Sequence, residues 1–139
     1  MTGRSFIDSN VLVYTDDSGN PAKQAQAIEL VSQGRKDHTG VVSVQVLQEY
    51  FVTATKKLGV DPVLARRKVE LFGQLDLVIV SLDDVLGAID LQRLHRLHFW
   101  DALIIRSARQ GGCVRLLSED MQHGRRFDGV EIVNPFAQG

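Results

Sequence analysis

Cysteine is almost absent from the sequence, with Cys113 as its only example. A single cysteine excludes an internal disulfide and a zinc site built on several thiolates, and it suits a reducing compartment. Long apolar runs are also absent, since no stretch approaches the ~20 apolar residues that cross a bilayer. The amino terminus shows no basic segment followed by an apolar one, as a secretory leader would. We therefore expect a cytoplasmic protein that does not enter a membrane.

The sequence also lacks a large net charge of either sign. Lys and Arg number 16 against 17 Asp and Glu, which gives −1 at pH 7, whereas nucleic-acid-binding domains usually carry excess positive charge. Basic residues do cluster at 56–57, 66–68 and 125–126. Such clusters are usually solvated helix faces, so they would contact a phosphate only if folding places them beside a ligand-binding cleft.

The length and composition are those of one folded unit. The chain has 139 residues, of which 44% are hydrophobic and 24% charged, and this is enough to bury one core. No linker-like stretch interrupts it. We predict a single domain that spans residues 1–139.

Short apolar runs alternate with helical periodicity along the whole chain. We predict a first strand that ends at Asp8, and four further strands at 40–43, 77–80, 114–117 and 130–133. Helices are predicted at 21–35 and 43–58, from Asp61 onward, from Ser81 to Leu97 and from Phe99 to the glycine pair at 111–112. This alternation predicts an α/β fold with a central parallel sheet of about five strands, covered on both faces by helices.

Three aspartates stand where such a fold puts ligand-binding residues. Asp8 and Asp120 follow the first and fourth strands, which are neighbours in the common strand order 3-2-1-4-5, so their side chains should meet at one edge of the sheet. Asp101 starts the core-facing side of the helix from Phe99, on the same face as Ile104. Each acid also has a simpler explanation. Asp8 and Asp120 could cap helices, and Asp101 could be a first-turn acid that the helix dipole favours.

Glu49 is a weaker candidate on periodicity alone. It lies on the side of the 43–58 helix opposite the apolar stripe, together with Gln45 and Lys56, and polar helix faces are usually solvated.

Four segments together resemble the ordered acidic motifs of the PIN-domain nucleases, and more narrowly those of the VapC-type toxins of bacterial toxin-antitoxin pairs. They are FIDSNVLVY from residue 6, VQVLQEY from residue 44, LHFWDALII from residue 97 and LLSEDMQHG from residue 116. The resemblance covers nearly the whole chain. It implies a three-layer α/β/α PIN-like domain and an endoribonuclease that depends on Mg²⁺, which Mn²⁺ could replace.

The resemblance also implies a role for each site residue. Asp8 and Asp101 would be the direct metal ligands, and Asp120 would complete the site or reach the metal through water. Glu49 would orient the attacking water or a second ion, and Asn10 and Ser118 would be polar helpers that bind the substrate. The implied partners are an RNA substrate, a cognate antitoxin protein and a second copy of the chain in a homodimer.

Three other interpretations agree less well with the sequence. A phosphoacceptor receiver domain shares the alternating pattern, but it needs paired acids after the first strand, where Asp8 stands alone, and a lysine after the last strand, where the sequence has Asn134. A zinc site at His95 and His98 lacks further converging ligands. A catalytically inert PIN-like scaffold that only binds RNA or protein predicts a missing acid, and none is missing.

Overall fold

The computed structural model describes residues 3–137. In this part of the chain the strands are β1 (Arg4–Ile7), β2 (Gly40–Ser43), β3 (Asp76–Val78), β4 (Cys113–Leu117), β5 (Arg126–Phe127) and β6 (Val130–Val133). The helices are α1 (Ser9–Tyr14), α2 (Pro21–Lys36), α3 (Val44–Lys57), α4 (Pro62–Phe72), α5 (Leu82–His95) and α6 (Phe99–Gln110). None of these helices is long and apolar enough to cross a membrane.

The strands form one mixed sheet in the order β3-β2-β1-β4-β6-β5. All neighbours are parallel except β5 and β6, which pair antiparallel. The predicted α/β fold and the central position of the first and fourth strands are confirmed. The number of strands is six rather than about five, because Asp128 and Gly129 both take positive φ angles and turn β5 back onto β6 as a hairpin.

Two groups of helices flank the sheet, as expected for a parallel sheet covered on both faces. Helix α1 packs against α2 and α3, α3 packs against α4, α5 packs against α6, and α2, α3 and α6 also contact strands. The core centres on the middle strands, where Phe6, Val41, Leu116 and Ile132 are fully buried. The glycine pair ends α6 as predicted, and Gly112 takes the left-handed conformation (φ 72°) that glycine adopts without strain.

The buried face of α5 differs from the apolar face that its sequence suggests. Leu86 and Ile89 are exposed, whereas Asp84, Ala88 and Leu91 are buried. The reason is an ion pair between α5 and α6, in which Arg106 Nε donates to Asp84 Oδ1 at 3.0 Å. The ion pair between Asp84 and Arg106 therefore determines which face of α5 packs against α6, and hydrophobic periodicity does not reveal such a contact.

Candidate functional site

The carboxyl ends of β1 and β4 lie side by side. Ile7 pairs with Leu117 in the parallel register, and the backbone N–H of Asp8 donates to the carbonyl of Leu117 at 3.0 Å. The residues that follow the two strands, Asp8 and Ser118, therefore meet at the same edge of the sheet, as the predicted strand order requires.

Ser118 is fully buried and links the first and fourth motifs. Its hydroxyl donates to Asp8 Oδ2 at 2.7 Å and accepts the backbone N–H of Asp120 at 3.3 Å and the Asn10 amide at 3.3 Å. One hydroxyl has one hydrogen and two lone pairs, so these three bonds use all of its capacity. Asn10 Oδ1 in turn accepts the backbone N–H of Glu119 at 3.1 Å. Ser118 and Asn10 thus fix the carboxylate of Asp8 and the start of the loop that carries Asp120.

Asp8 is a buried carboxyl group, with only 4% of its surface exposed. Burial raises the pKa of Asp8 to about 6; hydrogen bonds from Ser118 and the Ser9 backbone oppose this rise, and the charges of Glu49 and Asp120 add to it. Asp8 is also the N-cap of α1, because its Oδ1 accepts the Ser9 N–H at 2.7 Å. The capping explanation is therefore correct for Asp8, and it leaves the second carboxylate oxygen facing Ser118.

Asp101 and Asp120 reach this region from two further elements. Asp101 lies in the first turn of α6, and its pKa is raised by burial and by the charge of Asp120, while His98 opposes the rise. Asp120 follows β4 in an irregular loop, and no helix begins after it within residues 3–137. The helix-cap explanation of Asp120 is therefore wrong.

Glu49 is neither fully solvated nor isolated from the other acids. It is partly buried, its Oε2 accepts a hydrogen bond from Gln45 at 3.2 Å, and its charge contributes to the raised pKa of Asp8. The same Gln45 amide donates to the carbonyl of Trp100, in the first turn of α6, at 3.3 Å. Gln45 therefore connects the helix of Glu49 to the helix of Asp101. Its own Oε1 is buried and has no hydrogen-bond partner among the described residues.

The four acids do not form a closed metal cage. Across residues 3–137, no group of three or more His, Cys, Asp or Glu side chains is close enough to hold a metal ion, and no ion pair includes any of these four acids. Mg²⁺ usually binds through one or two carboxylates and keeps several waters, so the oxygen-rich donor set fits this ion although it would not enclose it. Like charges collected without a cation also favour binding one.

A cleft of about 340 Å³ opens beside Asp120. We call it the Tyr14–Lys57 cleft. It is lined by Ser9, Asn10, Val13, Tyr14, Asp17, Thr53, Lys57, Leu58, Glu119 and Asp120. Of the predicted site residues, Asn10 and Asp120 line it directly. Of the basic clusters, the one at 56–57 contributes Lys57.

Several of the other basic residues, and His95, have partners that do not line this cleft. Arg66 and Arg67 pair with Glu70, and Arg126 pairs with Glu131, as solvated surface pairs do. Beyond these, Lys68 pairs with Asp16. The ring of His95 packs against Phe127, so His95 and His98 do not converge on a common ligand site.

The contacts of Glu119, beside the site, are not indicated by any pattern in the sequence. Glu119 Oε1 accepts the Tyr14 hydroxyl at 2.6 Å, and its Oε2 pairs with Lys23 Nζ at 2.6 Å. Burial alone would raise the pKa of Glu119, but the hydrogen bonds from Lys23 and Tyr14 lower this pKa below its usual value. The adjacent acids Glu119 and Asp120 thus differ. The charge of Glu119 is compensated by Lys23, whereas Asp120 forms no ion pair with any residue in 3–137. Lys23 and Tyr14 are 96 and 105 residues away from Glu119, a separation that local spacing cannot reveal.

Comparison with known proteins gives one family and a set of similar folds. The family model described as the PIN domain matches residues 5–128. No curated protein sequence gives a significant match.

The similar solved structures share 16–19% sequence identity with the chain. VapC20 of Mycobacterium tuberculosis, a toxin that cleaves the sarcin-ricin loop, has a TM-score of 0.68 at 19% identity over 84% of this chain and 89% of its own. A toxin-antitoxin complex from Klebsiella pneumoniae has a TM-score of 0.68 at 17% identity over 95% and 98%. VapBC2 of Rickettsia felis, bound to a DNA fragment from its promoter, has a TM-score of 0.68 at 16% identity over 92% and 96%. At these identities the likeness establishes the fold.

Proposed function

The chain belongs to the PIN-domain family, and we propose that within this family it is a Mg²⁺-dependent endoribonuclease that acts as the toxin of a toxin-antitoxin pair. One observation carries the proposal. Carboxylates from four separate segments are close enough to influence one another: the charges of Glu49 and Asp120 add to the raised pKa of Asp8, and that of Asp120 adds to the raised pKa of Asp101. A fold gains no stability from such an arrangement unless a cation binds there.

We assign the metal to Asp8 and Asp101, with Asp120 completing the site directly or through water. When bound, Mg²⁺ supplies Lewis-acid charge neutralisation at a phosphate and lowers the pKa of water. Glu49 accepts a hydrogen bond from the attacking water and orients it. Ser118 and Asn10 hold the carboxylate of Asp8 in one orientation, so that this group does not reorganise during the reaction. Mn²⁺ has similar ligand preferences and should substitute for Mg²⁺.

The experiment that tests hydrolysis uses total cellular RNA. The purified protein is incubated with RNA in Mg²⁺, in Mn²⁺ and in EDTA, and the new RNA ends are sequenced. We expect new ends at defined positions with either ion and none in EDTA. An absence of metal-dependent ends would favour the inert scaffold, which keeps the fold but performs no chemistry.

We further propose that the partners are a cognate antitoxin and a second copy of the chain, in the cytoplasm. Two of the similar structures are toxin-antitoxin assemblies, which supports an antitoxin partner. Exposed large apolar side chains are common at protein interfaces. Among residues 3–137, six of them are each more than 60% exposed: Val63, Leu64, Ile79, Leu82, Leu94 and Trp100.

The homodimer is tested by light scattering of the purified chain. We expect twice the mass of the 15.4 kDa chain across the micromolar range. A monomer throughout that range would contradict the dimer without affecting the proposed nuclease activity.

A further inference from the structure

The Tyr14–Lys57 cleft has no task in the chemistry described above. We propose that it binds the nucleotide adjacent to the scissile phosphate, with the base against the ring of Tyr14 and a backbone phosphate at Lys57. This inference rests on the proposed function, because it assigns to the same site a subsite for its RNA substrate.

The size and position of the cleft suit this occupant. Its volume of about 340 Å³ is at the small end of the range for ligand-binding pockets, so a single nucleotide is a suitable occupant and a folded partner is not. Asn10 and Asp120 line the cleft and also belong to the network of acids around Asp8. A strand that places one nucleotide in the cleft would therefore place its next phosphate beside the carboxylates.

Tyr14 offers the cleft an aromatic ring in a fixed position. Its hydroxyl donates to Glu119 at 2.6 Å and accepts from Lys23 at 3.4 Å, so the polar end of the side chain is already engaged. Phe136 packs edge-on to the ring, with 5.0 Å between centroids. Lys23 Nζ lies over the ring at 5.1 Å from its centroid, so a ligand can use only the part of the ring surface that lines the cleft, on which any nucleobase can pack.

Lys57 and Thr53 supply polar groups that the fold does not use. Lys57 is exposed at the carboxyl end of α3 and makes no ion pair with any residue in 3–137. Thr53 lines the same cleft one helical turn earlier. An ammonium group that no carboxylate within residues 3–137 neutralises is suited to a phosphate, whereas Lys23, which does not line the cleft, is already paired with Glu119.

The first test observes binding without cleavage. Amide resonances of the ¹⁵N-labelled protein are followed in EDTA while a nucleoside 5′-monophosphate is added. We expect saturable shifts at Val13, Thr53 and Leu58, and at least a several-fold weaker affinity in Lys57→Ala. Lys56→Ala is the matched control, because Lys56 is the adjacent exposed lysine and does not line the cleft. Its affinity should equal that of the wild type. The absence of shifts at these amides, or equal weakening in both variants, would overturn the subsite.

The second test uses cleavage and separates the two residues. Lys57→Ala should raise KM several-fold with kcat unchanged, since the phosphate contact is made equally in the ground and transition states. Tyr14→Leu should lower kcat/KM by about fivefold or more and alter the base preference next to the cut, whereas Tyr14→Phe should keep that preference because it keeps the ring. If Tyr14→Phe is as impaired as Tyr14→Leu, the hydroxyl contact to Glu119 is what matters and base packing is refuted. If the wild type cuts no RNA, the proposed function fails, and the nucleotide titration still decides the subsite.

Discussion

Asp8 performs two tasks with its two carboxylate oxygens. Oδ1 accepts the Ser9 N–H and starts α1, and Oδ2 accepts the hydroxyl of Ser118 and faces the other acids. Capping and function are therefore not competing explanations at this position. The consequence is a buried acid whose ionisation opposes folding when no cation is present, because its pKa is about 6 in the folded state and 3.8 in an exposed one.

The first prediction concerns this ionisation. A group whose pKa is raised by folding stabilises the fold fully below the unfolded pKa, and this contribution is lost as pH rises through the folded pKa. In EDTA, Asp8→Asn should match the wild type near pH 4 and exceed it above pH 6, by on the order of 3 kcal/mol. Asparagine keeps the N-cap, so α1 should be unaffected. Urea unfolding at a series of pH values measures the difference, and a variant that is less stable at every pH would contradict it.

The second prediction separates a metal ligand from a first-turn acid at Asp101. If Asp101 lies among like charges, the Asp101→Asn variant should have a higher melting temperature than the wild type in EDTA. Its melting temperature should then rise much less than that of the wild type as Mg²⁺ is added. Asp83→Asn is the control, since Asp83 is a first-turn acid of α5 and should lose only a dipole term of about 0.3 to 1 kcal/mol at every Mg²⁺ concentration. Melting series at constant ionic strength keep screening from imitating binding. If Asp101→Asn behaves as Asp83→Asn does, Asp101 is not a ligand.

At the scale of elements, the contact between α5 and α6 shows how a polar pair can set helix orientation. Asp84 Oδ2 caps its own helix through Ser81, and Oδ1 accepts from Arg106 of the next helix. Gly87 lies next to the same guanidinium, since an added Cβ would come within 2.8 Å of Arg106 Nη1. The pair therefore needs both a buried acid and a small residue on α5, and it leaves Leu86 on the outside.

The third prediction tests that contact. Asp84→Ala removes the partner of a largely buried Arg106 and also breaks the cap, so it should lower the free energy of unfolding by about 3 kcal/mol. Asp83→Ala, at the adjacent exposed position, should cost less than about 1 kcal/mol. Denaturant titrations of the two variants give the comparison. Equal effects would show that the ion pair does not hold α5 on α6.

At the scale of the whole molecule, a net charge of −1 does not exclude an RNA substrate, because the net charge does not tell how the charges are distributed over the surface. The four acids of the candidate site form no ion pairs among residues 3–137. Most of the clustered basic residues either form ion pairs with other acids or are exposed to solvent. A site that binds Mg²⁺ between protein and phosphate needs this local negative charge, even though a nucleic acid is also negative.

The fourth prediction concerns cells. Expression of the chain alone should slow growth, and Asp8→Ala or Asp101→Ala should relieve the effect, because each removes a proposed metal ligand. Asp90→Ala is the control, since Asp90 is an exposed acid of α5 outside the candidate site, and it should remain as toxic as the wild type. Growth curves are compared at matched protein levels. Equal toxicity of wild type and both site variants would refute a hydrolytic toxin.

The sequence by itself determined the order of the main elements and the edge of the sheet where the candidate site lies. Alternating periodicity requires a parallel sheet, and neighbouring parallel strands bring their carboxyl ends together, so Asp8 and Ser118 had to meet once β1 and β4 were adjacent. Local signals were also sufficient for the helix limits near Ser43, Asp61, Ser81 and Gly111, because capping depends on residues within one turn.

Only the tertiary structure decided which polar groups are paired. The Lys23–Glu119 and Arg106–Asp84 pairs join residues 96 and 22 positions apart, and only the packing of α3 brings the charge of Glu49 close enough to add to the raised pKa of Asp8. Hydrophobic periodicity indicates how apolar one face of a helix or strand is. The electrostatic free energy of a charged group depends instead on its distance to other charges and on its exposure to water. Those two quantities exist only after the chain has folded.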